Sequence, residues 1–196
     1  GAVEDVVFGC VDTLGPQAGD IARTAWLAAG LPDHVPGTTV DRQCGSSQQA
    51  VHFAAQAVLS GTADVVVAGG VQNMSAVPIG YAMTAGQALG FEDPFRGSVG
   101  WQQRYGDQEV SQFRSAEMIA EKWGITREAM EQFAVRSHER AFAAQAEGRF
   151  DREIEPVFGL AVDEGPRAPD WEKIRSLPPL VEGGRVTAAV SSQISD

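Results

Sequence analysis

The feature that most constrains the fold is an alternation of short apolar runs and helical segments over the first 70 residues. Apolar, β-branched runs lie at residues 6–11, 38–40 and 64–70. Residues 21–29 and 48–59 have the composition and spacing of helices, and Gly follows each of them. Strand, helix, strand, helix and strand in this order predict an α/β layer with a largely parallel sheet.

The rest of the chain follows a different pattern. Residues 72–112 have no sustained period and are rich in Gly, Pro, Met and aromatic residues, which favours a small excursion that covers a site over one long loop. Helices are expected at residues 115–123 and, capped by Thr126, up to about residue 147. Residues 149–183 contain several prolines and are expected to form strand and loop.

Charge and composition exclude several function classes. The formal net charge is −11, which argues against a nucleic-acid partner because such a protein needs a basic face. No apolar run approaches the roughly 20 residues that span a bilayer, and the first residues do not resemble a signal peptide. Two cysteines far apart do not form a disulfide scaffold. We therefore expect a cytoplasmic protein with free thiols and no membrane partner.

Cys44 is the leading candidate for a reactive group. It follows a predicted strand and precedes a predicted helix, where free backbone N–H groups and the helix dipole favour a thiolate. The same N–H groups could stabilise an oxyanion during acyl transfer. The residues alone leave a second interpretation open, in which Cys44 is a small, inert thiol. Cys10 lies inside an apolar run and is expected to be a core residue.

The histidines offer no evident general base for this thiol. His52 lies partway along the helix that follows Cys44, His34 lies in a loop, and His138 lies on a polar helix face. All three are expected to be surface or structural residues. No cluster has the spacing of metal ligands, and no phosphate-binding glycine motif is present.

Six segments together resemble the thiolase family. In chain order, they are Thr39 to Ser47 around Cys44, Ala68 to Ser75, Ser115 to Lys122, Arg149 to Ile154, Asp163 to Arg167, and Thr187 to Asp196. They occur in the order in which the family has them, over essentially the whole chain. The resemblance implies a layered α/β/α half with a mostly parallel sheet and an inserted α+β loop domain.

The resemblance also implies domain boundaries. Residues 1–71 would be the N-terminal core, without its first strand and helix, and residues 72–185 the loop domain over the active site. Residues 186–196 would form a strand that returns to the core. The family's second half, with a Gly-His-Pro and a Cys-x-Gly motif, has no counterpart here, so this chain alone is expected to be inactive.

The function implied is acyl transfer between coenzyme A thioesters through an acyl-Cys44 intermediate, in either 3-ketoacyl-CoA thiolysis or acetyl-CoA condensation. No tightly bound cofactor or metal is expected, and acyl-CoA and coenzyme A are substrates. A homodimer or homotetramer is expected. One alternative is a non-catalytic acyl-CoA-binding or partner subunit. Another is a ketosynthase-type condensing enzyme, against which the Met74-Ser75 signature argues.

Five residues would contact coenzyme A by the same resemblance. Arg167 would lie near its nucleotide, where a guanidinium suits phosphate. Ala188 and Ser192 would line the pantetheine tunnel. Leu180 would replace a frequent aromatic residue near the adenine, and Gln112 would meet the pantetheine from the loop domain.

Five positions depart from the family pattern. Ser47, Phe113 and Ala189 stand where the family often has Gly, Gln72 where it often has Glu, and Val190 where it often has Asn. Each replaced Gly adds a side chain where backbone freedom or a close approach is needed. These changes suggest a divergent branch, compatible with bulky acyl chains.

Overall fold

The computed structural model describes residues 1–193 of the chain. These residues divide into two compact units. The first unit comprises residues 1–107, and the second begins at Gln108 and contains the remaining described residues. The resemblance had suggested a domain boundary after residue 71, and that boundary stays a prediction.

A three-stranded parallel sheet organises the first unit. Its strands are β1 over Asp5–Gly9, β2 over Gly37–Val40 and β3 over Val66–Gly70. Their order in the sheet is β2-β1-β3, so the crossover from β2 to β3 passes over β1. Parallel strands need such long connections, and here each one contains a helix.

The two crossover helices lie on opposite faces of the sheet. They are α1 over Ile21–Ala28 and α2 over Ser46–Ser60. Val6 of β1 packs with Ala22 of α1 in a buried cluster, whereas Gly9 of β1 meets the first turn of α2 at Ser47. Residues 6 and 9 point to opposite faces of a strand. The three layers are therefore α/β/α, which confirms the predicted fold class.

Residues 71–107 complete the first unit with short helical pieces only. These pieces are α3 over Tyr81–Thr84, a 3-10 helix over Ala85–Leu89 and α4 over Val99–Tyr105. Outside this segment, a 3-10 helix over Gly15–Gln17 follows β1. None exceeds seven residues. This segment agrees with the absence of a sustained period in the sequence.

A buried carboxylate fastens this segment to the end of β1. Asp12 is 1% exposed and accepts hydrogen bonds from the backbone N–H groups of Gly80, at 3.0 Å, and Ala82, at 2.9 Å. It also accepts one from Nε2 of Gln72, at 3.3 Å. The Gln72 carbonyl oxygen in turn accepts from the N–H of Val11 at 3.1 Å. A Glu at position 72, where the resemblance suggests one, could not donate to Asp12 when ionised.

The described part of the second unit contains three α-helices. They are α5 over Gln112–Lys122, α6 over Arg127–Ala146 and α7 over Trp171–Ser176. The Thr126 hydroxyl caps α6 by accepting from the N–H of Ala129 at 3.1 Å, as the sequence predicted. Helix α7 lies inside the segment expected to be strand and loop. Its cap is Asp170, which accepts from the N–H of Lys173 at 3.0 Å.

The return strand expected over residues 186–196 lies partly outside the described residues, because residues 194–196 are not described. Its described part forms a bridge between Thr187 and Pro179 and a 3-10 helix over Ala188–Val190. Glu117 of α5 holds the start of this segment, since its carboxylate accepts from the N–H groups of Arg185 and Val186. Pairing of the segment with the sheet stays a prediction.

Candidate active site

The backbone before Cys44 forms a tight turn between β2 and α2. Gln43 has a φ of 49°, in the left-handed region that non-glycine residues rarely adopt. Its N–H donates to the Asp41 carboxylate at 2.8 Å, and the N–H of Gly45 donates to the carbonyl of Arg42 at 3.1 Å. These local bonds stabilise the turn that presents the cysteine.

Ser46, the first residue of α2, stabilises the same turn through its hydroxyl group. Its buried hydroxyl accepts from the N–H of Arg42 at 2.8 Å and donates to the carbonyl of Gln43 at 2.6 Å. The N–H of Ser46 also donates to the Gln43 carbonyl, at 3.0 Å. The N–H groups of Gly45 and Ser46 are therefore engaged, contrary to the expectation of free donors directly after the thiol. Within residues 1–193, the first N–H of the helix without a partner belongs to Ser47.

Two glycines let α2 approach the carboxyl ends of the strands. A Cβ on Gly9 would stand 2.3 Å from the nitrogen of Ser47, and a Cβ on Gly70 would stand 2.7 Å from the Ser47 Cβ. Neither distance is possible between real atoms, so only Gly fits at these positions. Ser47, which replaces a family Gly, is accommodated because its neighbour at position 70 has no side chain.

The two cysteines lie in opposite environments. Cys44 is exposed, whereas Cys10 is 1% exposed. Burial raises the pKa of the Cys10 thiol, and the charges of Asp12 and Asp41 raise it further. Cys10 is thus a protonated core residue, as the sequence predicted, and Cys44 is the accessible thiol.

The Cys44 thiol has no hydrogen-bonded histidine or carboxylate in the described part of the chain. The Cys44 sulfur forms no hydrogen bond with any residue from 1 to 193, and His34 and His52 are both exposed. The turn therefore presents an exposed thiol that has no hydrogen-bond partner within residues 1–193. Nor does any group of three or more His, Cys, Asp or Glu within residues 1–193 have a metal-binding arrangement.

The second unit contains a cavity of about 580 Å³. This volume lies in the range of sites for cofactors and drug-sized ligands. Four of the five residues expected to contact coenzyme A line it, namely Arg167, Leu180, Ala188 and Ser192. Gln112 is exposed at the start of α5 and does not line this cavity.

Much of the cavity wall is apolar. It includes Phe113, which follows Gln112 on α5, and Ile174 and Leu177 from α7 and its end. Phe113 and Ala189 both line the cavity, so two of the five departures from the family pattern face one space. The sequence identifies both positions as departures from the family pattern but does not indicate that they line the same cavity.

Two cations in the cavity lining form no ion pair within residues 1–193. Arg167 and Lys173 line the cavity, and neither side chain forms an ion pair within residues 1–193. Glu131 is 4% exposed and is bound to Arg127 at 2.7 Å, while Asp170 caps α7. The lining therefore has two cations without an ion pair, in a chain whose net charge is −11, beside the Asp170 carboxylate, which also forms none. The two cations could bind an anionic ligand.

Arg127 also fixes the wall that carries Lys173. Its guanidinium donates to the carbonyls of Ile174, Arg175 and Leu177, at 3.3, 3.1 and 2.8 Å, so that it caps the C-terminal end of α7. Lys173 was not predicted to line a cavity. The only available signal was Asp170 three residues before it, the spacing of a helix cap.

In the part of the chain that the structure describes, no helix combines the length and apolar character that crossing a membrane requires.

Comparison with known proteins extends the resemblance over the entire chain. Residues 1–196 match the family described as thiolase, N-terminal domain. The chain is 62% identical to the steroid 3-ketoacyl-CoA thiolase FadA6 of Mycobacterium tuberculosis, with 100% of this chain and 49% of that protein covered. It is 39% identical to the β-ketoadipyl-CoA thiolase of Acinetobacter baylyi, over 99% of this chain and 52% of that protein. A 3-ketoacyl-CoA thiolase of Idiomarina loihiensis is also 39% identical, with coverages of 99% and 50%.

The chain spans about half the length of the curated relatives that it matches. The family match covers both units, including the turn of Cys44 and the cavity of the second unit. The chain belongs to the thiolase family, whose N-terminal domain it matches over its full length.

Proposed function

We propose that this chain carries the nucleophile of an acyltransferase that moves acyl groups between coenzyme A thioesters. The single observation that supports this best is the exposed Cys44 thiol on a tightly bonded turn between β2 and α2. Functional groups in open parallel sheets lie at the carboxyl ends of strands, and Cys44 follows such an end. Family membership supports the same conclusion.

In the degradative direction, the Cys44 thiolate attacks the ketone carbon of a 3-ketoacyl-CoA. The bond between C2 and C3 breaks, the enolate of acetyl-CoA leaves and takes up a proton, and an acyl-Cys44 thioester remains. A coenzyme A thiolate then attacks this thioester and releases the Cys44 thiolate. Splitting the transfer into two steps is the contribution of covalent catalysis. Condensation of two acetyl-CoA molecules is the reverse reaction with acetyl as the acyl group.

We propose the cavity of the second unit as the coenzyme A site. Arg167 and Lys173 would meet its phosphates, since neither cation has an ion-pair partner within residues 1–193. Ala188 and Ser192 would lie along the pantetheine and Leu180 near the adenine. Gln112 is proposed as a pantetheine contact on family resemblance alone. Coenzyme A is a substrate here and no tightly bound cofactor is proposed.

The acyl group is proposed to be bulky. The relative at 62% identity is named as a steroid 3-ketoacyl-CoA thiolase, and that name points to acyl chains derived from a ring system. The base that activates Cys44 is proposed to come from the part of the protein that corresponds to the second half of the relatives. Residues 1–196 alone are therefore expected to bind coenzyme A without turnover.

We further propose a cytoplasmic homodimer or homotetramer. Both thiols are free, which agrees with a reducing compartment. Light scattering on the whole protein would measure the oligomeric state.

The proposed reaction is tested by thiolysis kinetics with a 3-ketoacyl-CoA and the whole protein. Cys44→Ala is expected to lower kcat by at least about 10⁴-fold, because the covalent route is lost. Cys10→Ala is the matched control and should retain turnover. A Cys44→Ala protein that binds coenzyme A normally and turns over at the rate of the unchanged protein would contradict the mechanism. An unchanged protein that binds coenzyme A but never turns over would instead support the non-catalytic acyl-CoA-binding subunit.

A further inference from the structure

Two side chains of α6 hold the segment that carries Arg167. The backbone N–H of Arg167 donates to Nδ1 of His138 at 3.1 Å. Seven residues further along the helix, Nε2 of Gln145 donates to the carbonyl of Asp163, also at 3.1 Å. Residues seven apart lie on one face of a helix, so both bonds reach the same segment. The segment from Asp163 to Arg167 is thus fastened to α6 at both ends.

The segment is also closed on itself. The Asp163 carboxylate accepts from the N–H of Gly165 at 2.8 Å, and Nε2 of Gln193 donates to the Gly165 carbonyl at 3.4 Å. A Cβ on Gly165 would stand 2.9 Å from that Gln193 nitrogen, so the glycine permits this approach. The backbone of the segment is therefore well determined up to Arg167.

The Arg167 side chain has no such support. Its guanidinium forms no hydrogen bond or ion pair with residues 1–193. A free arginine side chain loses rotational freedom when it binds a ligand, and with the backbone already fixed only the side-chain torsions remain to be ordered. The bond to His138 holds the backbone N–H of Arg167 itself.

We propose that His138 is a positioning residue that orients Arg167 toward an anionic group of the ligand in the cavity. This inference rests on the proposed function, in which Arg167 binds the phosphates of coenzyme A. In this contact the N–H of Arg167 is the donor and Nδ1 of His138 is the acceptor. His138 acts through the backbone of Arg167 and not on the reacting thioester.

The test compares His138→Phe with His138→Asn in the whole protein. The Phe variant keeps an aromatic ring without an acceptor, and we expect it to raise the KM and the Kd for coenzyme A about tenfold with kcat unchanged. The Asn variant offers an amide oxygen close to the position of Nδ1 and should restore a KM within about threefold of the unchanged protein. Equal KM values for the Phe variant and the unchanged protein would overturn the proposal.

A double-variant cycle separates positioning from direct contact. In an Arg167→Gln background, His138→Phe is expected to change the Kd by less than about twofold, because the group it positions is gone. If His138→Phe instead raised the Kd by the same factor with and without Arg167→Gln, the proposal would be overturned, since His138 would then contact the ligand itself.

The same cycle distinguishes the two levels of inference. If Arg167→Gln leaves the Kd for coenzyme A unchanged, the proposed coenzyme A site fails. If Arg167→Gln weakens binding but His138→Phe does not, only the positioning role fails. Should His138→Phe not fold, His138→Leu also lacks an acceptor and is expected to raise the KM about tenfold. An unchanged KM for His138→Leu would then overturn the proposal.

Discussion

Ser47 and Gly70 approach each other so closely that a Cβ on residue 70 would stand 2.7 Å from the Ser47 Cβ. The first turn of α2, which follows Cys44, therefore packs directly against the end of β3. This packing is possible because residue 70 has no side chain. The contact links the sheet directly to the position of the candidate nucleophile.

Gly70→Ala is accordingly expected to destabilise the protein by about 1–3 kcal/mol, the usual cost of overpacking. Chemical unfolding measures this loss. Ser47→Gly in the same chain removes the closest atom and should recover part of it, although the Gly9 carbonyl oxygen remains 3.0 Å away. Gly100→Ala is the matched control, because a Cβ there meets nothing within 4 Å. Equal stabilities of the Gly70 and Gly100 variants would contradict the close packing.

Gln72→Glu restores the residue that the family often has, yet it should destabilise this chain. The side chain would place a second carboxylate beside the buried Asp12, which now receives a hydrogen bond from Gln72 at 3.3 Å. Losing this donor and adding a like charge should cost about 2–3 kcal/mol. The double variant Gln72→Glu with Asp12→Asn should be more stable than Gln72→Glu alone. A fully stable Gln72→Glu protein would show that the Asp12 contact is unimportant.

Because the pKa of Cys10 is raised in the folded protein, we expect the protein to lose stability at alkaline pH. Its pKa in the folded protein is raised above the ordinary value of 9.0, chiefly by burial. Above that value the unfolded chain loses the thiol proton while the folded chain keeps it, so the folded state binds more protons and stability falls as pH rises. Cys10→Ala should therefore show a smaller decline in unfolding free energy between pH 8 and about pH 10 than the unchanged protein. Parallel curves for the two proteins would refute the raised pKa.

Because Arg167 and Lys173 line the proposed coenzyme A site, we expect the affinity for coenzyme A to depend on salt concentration. Replacing either by Gln should weaken binding roughly five- to thirtyfold, and the loss should shrink at high salt because added ions screen the attraction. Arg140→Gln is the control, since Arg140 is exposed on α6 and does not line the cavity. Calorimetric titration at two salt concentrations provides the measurement. Comparable losses for all three variants would indicate a general charge effect and not a site.

Much of the first unit could be predicted from the sequence because local signals and burial agree there. Each apolar, β-branched run became a strand, and Gly61 ends α2 in the left-handed conformation that glycine readily adopts. The position of Cys44 between β2 and α2 followed from the same pattern. What could not be predicted is how the turn uses its donors, since the bonds of Gly45 and Ser46 depend on the left-handed Gln43.

The second unit was harder to predict because distant contacts determine it. Helix α7 has only six residues and prolines on both sides, so its pattern is too short to register. It is stabilised at its C-terminal end by Arg127, more than 40 positions earlier in the chain. The contact between His138 and Arg167 spans 29 positions, and no local signal predicts such a pairing.

The most direct test of the central claim is to trap the acyl-enzyme. The whole protein is mixed with a 3-ketoacyl-CoA in the absence of free coenzyme A, quenched in acid and digested, and the peptides are analysed by mass spectrometry. We predict an added acyl mass on the peptide that contains Cys44 and none on the peptide that contains Cys10. The Cys44→Ala variant should yield no acylated peptide. Efficient thiolysis by the unchanged protein with the acyl mass on another residue, or with Cys44→Ala equally active, would contradict the assignment of Cys44 as the acyl acceptor.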